Sequence, residues 1–122
     1  MTLKGSQVKE LLEHSFSGDY SGFQVSGLNI VFNDSLPKGK RVLNIILRDE
    51  ADQKYELIPE EEYTIVTNSY LVKGGEGYSV FNEGVDLEDT GIVMRDLFIQ
   101  HIRENSPVSA KLEKRLINVS LK

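Results

Sequence analysis

The chain has 122 residues, of which 39% are hydrophobic and 27% charged, with a net charge of −5 and no cysteine. This is enough chain for one globular domain and too little for two, and the apolar and charged fractions are those of an ordinary soluble domain. The missing cysteines rule out disulfides, thiolate metal sites and a cysteine nucleophile, while the acidic balance argues against long nucleic acids, whose phosphates are neutralised by Lys and Arg, but leaves open a mononucleotide, which needs only one small pocket.

The start, Met1 to Gly5, has no apolar core and no small-residue cleavage site, so it does not read as a secretory leader. No apolar run approaches the ~20 residues of a membrane span. The first predicted element is a helix from Gln7 to Phe16, with Val8, Leu11, Leu12 and Phe16 on one face at the 3.6 period and Ser6 placed to cap its N-terminus. Ser17 to Gly22 breaks it and forms a loop. Two strands follow. In the first, Leu28, Ile30 and Phe32 alternate with Asn29, Val31 and Asn33; in the second, Arg41 to Arg48, Leu43, Ile45 and Leu47 share a face. The turn chemistry of Asn33 to Gly39 joins them as a hairpin. Tyr55 to Ile58 is a shorter strand, ended by Pro59 and the solvated run Glu60, Glu61, Glu62. Tyr63 to Thr67 is β-branched and aromatic throughout and gives the clearest strand pattern.

Asn68 to Val72 reads as a turn or a single helical turn, and Lys73 to Tyr78 as a glycine-rich loop. A second long helix is predicted from about Gly91 to Glu104, capped by Asp89 or Thr90, with Ile92, Val93, Leu97, Phe98 and Ile102 inside and Asn105-Ser106-Pro107 as its stop. Ala110 to Arg115 has helical character, and Leu116 to Leu121 alternates as a terminal strand. The order predicts an α+β fold: a mostly antiparallel or mixed sheet packed with two main helices, as one domain over residues 1–122.

The glycine-rich loop is the sharpest local signal. Gly74, Gly75 and Gly77 allow positive φ and let a ligand approach the backbone; the same residues also suit a purely structural turn. It is not a Walker loop, because Lys73 precedes the glycines and no Gly-Lys-Ser/Thr follows. Tyr78 next to it is either a stacking platform for a base, worth roughly 1–3 kcal/mol, or a core aromatic; Phe81 reads as inward-facing. Asn82 and Glu83 can accept from ribose hydroxyls or belong to a solvated loop, the reading that also suits Asp86. His14 and His101 stand apart, each on a helix, without carboxylate companions at metal-ligand spacing. No catalytic residue and no metal ligand is therefore assigned. The chemistry is that of a binding or structural domain.

Several segments, in order, resemble the C-terminal domain of 5′-nucleotidases, the family of UDP-sugar hydrolases and 2′,3′-cyclic nucleotide phosphodiesterases. Leu3 to His14 is similar to the family's "L-x-G" helix ending in "L-E-x". Gly22 to Leu28 is similar to its "F-x-Q-V-S-G" strand entry, and Gly39 to Val42 to its "G-x-R-V" hairpin. Tyr63 to Tyr78 closely resembles "Y-x-(V/I)-x-T-N-x-(F/Y)-L-A-x-G-G-D-G-(Y/F)", with Lys73 and Glu76 replacing the commoner small residue and Asp. Lys114-Arg115-Leu116 resembles a closing "G-R-I".

The resemblance implies a division of labour. A separate N-terminal metallophosphoesterase domain, holding two divalent metal ions, does the chemistry. The C-terminal domain holds the nucleotide or nucleoside, with its base between two aromatic rings. Tyr78 is then the second ring, Gly74, Gly75 and Gly77 shape the loop, and the acidic ribose contact falls at Asn82 or Glu83. The segment carrying the first ring and an Arg that reaches the phosphate has no counterpart before Leu3. The chain is therefore expected to begin inside the domain, to be inactive alone, and to pair as a homodimer over the face left open. An extracellular, cell-wall or periplasmic place is implied by the resemblance. The alternative is a non-catalytic cell-surface interaction or structural module that keeps the fold only.

Overall fold

The computed structural model describes residues 1–18 and 22–121. It opens with a strand that the sequence reading did not assign, β1 (Thr2–Lys4), which runs directly into helix α1 (Gly5–Ser15). The helix buries Val8, Leu11 and Leu12, the apolar positions of its 3.6-residue period. Its N-terminus differs from the expectation. The capping position is Lys4 rather than Ser6, and the Gln7 side-chain oxygen accepts the Lys4 N–H at 2.8 Å. The N–H groups of Gly5 and Ser6, which no helical carbonyl can reach, donate to the carbonyls of Glu61 and Pro59 at 2.9 and 3.0 Å. A distant loop thus does what a local side chain was expected to do.

The main sheet has four strands in the order β4 (Lys54–Glu56), β3 (Val42–Arg48), β2 (Leu28–Phe32), β6 (Leu116–Asn118). The hairpin partners β2 and β3 are antiparallel, with Ile30 opposite Ile45, and β4 continues antiparallel on β3. The closing strand β6 lies parallel to β2. On β3 the buried residues are Val42 and Ile45; Leu47 shares the face of Ile45, as expected, but is only half-buried, while Leu43 is exposed. The register shifts between Val31 and Phe32, so that Phe32 faces Val42, and this bulge sends Leu43 outward. The strand expected over Tyr63 to Thr67 is shorter: β5 (Glu62–Thr64) pairs antiparallel with β1 in a separate two-stranded sheet, and Ile65 N–H still donates to the Met1 carbonyl at 2.9 Å.

Residues 110–115 are not helical; Lys114 takes a φ of 51°, outside the helical range. Arg115 holds the approach to β6. Its guanidinium donates to the Val25 carbonyl and to Glu113 Oε2, the latter at 2.7 Å. That hydrogen bond and the guanidinium charge hold the Glu113 carboxyl below its ordinary range and raise Arg115 above its own. What the pair adds is therefore present above the ordinary carboxylate range and fades as pH falls through the lowered Glu113 value.

The core joins Leu3, Val8, Leu11 and Leu12 to Ile30, Val42 and Ile45 of the sheet and to Tyr78, Val80 and Phe81. The class is α+β, but the two long helices differ. Only α1 is packed. The second, α3 (Met94–Asn105), starts later than expected, and Leu97 and Phe98 are 53% and 66% exposed, with Ile92 and Val93 similar and Ile102 exposed to a lesser degree. Asp89 and Thr90 accept N–H groups from Gly91 and Ile92 in a turn ahead of the helix instead of capping it. The periodicity marks one apolar face correctly; among the described residues nothing buries that face.

Candidate functional site

The glycine-rich segment is built outward from a one-turn helix, α2 (Ser69–Val72), the single helical turn that Asn68 to Val72 suggested. Asn68 caps it, its side-chain oxygen accepting the Leu71 N–H at 2.9 Å. Gly74, with φ of 82°, ends it in the left-handed conformation, and its N–H donates to the Leu71 carbonyl. The chain then makes two tight turns, Gly75–Gly77 and Ser79–Glu83. At Gly75 a Cβ would sit 2.5 Å from the Tyr70 ring where it now stands, so a side chain there would force that exposed ring to move. Gly77 is required for its φ of 78°.

Tyr78 does not present an open ring. It is 1% exposed, one of the most completely buried side chains among the described residues. Phe23 lies against it with ring centroids 4.3 Å apart and planes 24° apart, and His14 meets it edge-on at 4.4 Å and 78°. Phe81 closes the cluster at 6.2 Å from Tyr78 and is itself buried, as expected. Of the two roles that the sequence left to Tyr78, the core role is the one it has in this arrangement. Burying an aromatic ring of this size removes roughly 150–250 Å² from water, which explains why the ring turns inward where a neighbour is available to cover it.

His14 is more than an isolated helical histidine. Its Nε2 lies 2.8 Å from the Glu76 carbonyl, an acceptor only, so this nitrogen donates and ties α1 to the glycine-rich loop. Two turns earlier on the same face of α1, Gln7 donates through Nε2 to Glu83 Oε2 at 3.1 Å, while its oxygen is engaged by Lys4. Asn82 swings back over the loop, its side-chain nitrogen 3.9 Å from where a Gly74 Cβ would stand. The loop of Gly74, Gly75 and Gly77 and the turn carrying Asn82 and Glu83 thus lie along one face of α1, tied to it by His14 near its C-terminus and by Gln7 in its first turn. Sequence reasoning found the loop and turn residues but missed Gln7, His14 and Phe23. The available signal was the seven-residue spacing of Gln7 and His14, which places both on one helical face.

What this arrangement offers chemically is donors, acceptors and stacked rings. Among the described residues no three His, Asp or Glu side chains gather to hold a metal ion, and no helix is long and apolar enough to cross a membrane. A hollow of about 200 Å³ is lined by Gly5, Lys9, Val42 to Ile45, Glu56, Leu57 and Pro59 and includes none of the loop residues.

Fold and loop together define a known class of domain. Residues 1–83 match the family "5′-nucleotidase, C-terminal domain", and the chain belongs to that family. It is similar to the trifunctional nucleotide phosphoesterase protein YfkN of Bacillus subtilis, at 33% identity over 98% of this chain and 8% of that protein. It is also similar to an apyrase of Aedes aegypti, at 36% identity over 84% of this chain and 19% of the relative. Among solved structures it superposes on the 5′-nucleotidase precursor of Thermus thermophilus with a TM-score of 0.89 and 32% identity, covering 97% of this chain and 24% of that one. The chain therefore spans between a twelfth and a quarter of the length of these relatives.

Proposed function

We propose that this chain is the nucleoside-recognising part of a metal-dependent 5′-nucleotidase-type phosphohydrolase, a partial C-terminal domain over residues 1–122. In this reading a separate metallophosphoesterase domain of the same polypeptide, with two divalent metal ions, hydrolyses the phosphate ester. This part binds base and ribose, and is inactive alone. Binding energy gathered far from the reacting phosphate orients that phosphate at the metals and so lowers the barrier. The observation that carries the reading is the convergence of Gly74, Gly75, Gly77, Asn82 and Glu83 around Tyr78 inside the segment that matches the family. Tyr78 and the three glycines take the base, and Asn82 or Glu83, the latter positioned by Gln7, accepts from the ribose hydroxyls.

An extracellular, cell-wall or periplasmic place fits this reading, supported by similarity to a snake venom 5′-nucleotidase of Naja atra. As a separate chain it is expected to pair with a second copy over the apolar face of α3. The test of the central claim is a titration of adenosine into the ¹⁵N-labelled chain. Amide signals of Gly75, Gly77 and Tyr78 are expected to shift together and saturate. No shift at millimolar adenosine would count against a working site in this chain. The covered Tyr78 ring favours a second reading, a non-catalytic interaction or structural module of the same fold, and the silent titration is the result that reading requires.

A further inference from the structure

We propose that the Phe23 ring stands in the nucleobase's place on Tyr78, and that Phe23 therefore sets how tightly the site takes an aromatic base; this rests on the nucleoside-binding reading above. Tyr78 is fully buried and Phe81 nearly so, whereas Phe23 is only half-buried. Of the three rings, Phe23 is the outermost. Its near-parallel placement on Tyr78, at 4.3 Å between centroids and 24° between planes, is the arrangement in which a flat heteroaromatic ring stacks on a phenol.

The partners of Tyr78 are held differently. His14 comes from the packed helix α1 and is hydrogen-bonded to the Glu76 carbonyl, so its edge-on contact is fixed at both ends. Phe23 has its backbone N–H fixed on Ser15 Oγ at 2.6 Å, and Ser15 is buried, but a phenyl ring has no polar atom to anchor it. Rotation about its side-chain torsions moves the ring off Tyr78 without moving the backbone. The slot it leaves has the thickness of one ring, which a purine or pyrimidine also has.

Base and Phe23 then compete for one face. Apparent affinity is reduced by the fraction of molecules in which the face is free. Aromatic pairs of this kind favour contact by a factor of roughly three to ten, so removing the phenyl ring is expected to tighten base binding by about that factor. A ligand without a base cannot displace Phe23, so a sugar phosphate gains nothing from its removal.

The test compares the unaltered chain with Phe23→Ala and Phe23→Leu, each titrated with adenosine and with ribose 5-phosphate and followed by the Gly75 and Gly77 amide signals. Adenosine is expected to bind roughly three- to tenfold tighter to Phe23→Ala, with Phe23→Leu between, and ribose 5-phosphate to show no difference. In the unaltered chain the Phe23 ring protons are expected to lose the ring-current shift of Tyr78 as adenosine saturates. If adenosine binds the unaltered chain while the variants, shown folded by circular dichroism, bind equally or more weakly, Phe23 supports the site and the proposal is overturned, with the nucleoside reading intact. If no form of the chain binds adenosine, both readings fall. Should Phe23→Ala fail to fold, Phe23→Leu and the ring-proton shift decide by the same criteria.

Discussion

A Glu13→Ala variant is expected to lose about 3–5 kcal/mol of stability, seen as a lower urea midpoint with an unchanged slope. Glu13 is a buried carboxylate on α1, and its two oxygens accept the consecutive backbone N–H groups of Arg41 and Val42, each at 2.9 Å. It therefore fixes where β3 begins relative to the helix. Each such charge-assisted bond is worth about 1.5–3 kcal/mol, and its loss leaves the buried Val42 N–H without an acceptor. Glutamine does not rescue the arrangement. Its amide offers one acceptor and turns an NH₂ group toward the second N–H, donor against donor, so Glu13→Gln is expected to keep less than half of the loss at bay. A midpoint within error of the unaltered chain for Glu13→Ala would show that the carboxylate does not hold α1 to β3.

Gly5→Ala is expected to be at least as damaging, by about 3 kcal/mol or more. A Cβ on Gly5 would lie 2.2 Å from the Ile58 carbonyl oxygen and 2.9 Å from its carbon, both backbone atoms that cannot rotate away. The loop that would have to retreat is the one whose Pro59 and Glu61 carbonyls accept the first N–H groups of α1. Retreat therefore breaks the helix cap as well as the packing. Ser6→Ala is the control. Ser6 is exposed and is not the capping residue, so its loss is expected to cost less than about 0.5 kcal/mol. A large effect at Ser6 with a small one at Gly5 would reverse this account of the helix start.

The Ser6 and Gly5 contrast also shows what the sequence could reveal. Helix α1 was legible because Val8, Leu11 and Leu12 state their face through spacing alone, whereas its cap was not, because the groups that satisfy it come from Pro59 and Glu61. The β2–β3 hairpin was legible from alternation and turn residues, but the bulge that turns Leu43 outward leaves no mark in an alternating pattern. The same division runs through the site. Gly74, Gly75 and Gly77 announce a turn with positive φ and little room, and Asn82 and Glu83 follow within the same turn. The covering of Tyr78 by Phe23 and His14 depends on contacts between distant parts of the chain, which no local pattern encodes. For α3 the apolar face was read correctly and its burial was not, since periodicity says that a face is apolar and not what meets it.

That exposed face has a consequence for α3 itself. A helix of 12 residues is marginal in water without tertiary support. Its N-terminal end, at Val93, has no side-chain cap, and its internal aid comes from exposed contacts such as Gln100 to Glu104 at 2.7 Å and Asn105 to the His101 carbonyl at 2.9 Å. Under the pairing proposed above, in which a second copy covers this face, folding of α3 is coupled to association. Amide hydrogens of residues 94–105 should exchange almost as fast as in coil when the protein is dilute, and slow as concentration rises and second copies cover the face, while those of α1 stay protected throughout. Exchange in α3 that is slow and independent of concentration would mean that the helix stands without a partner.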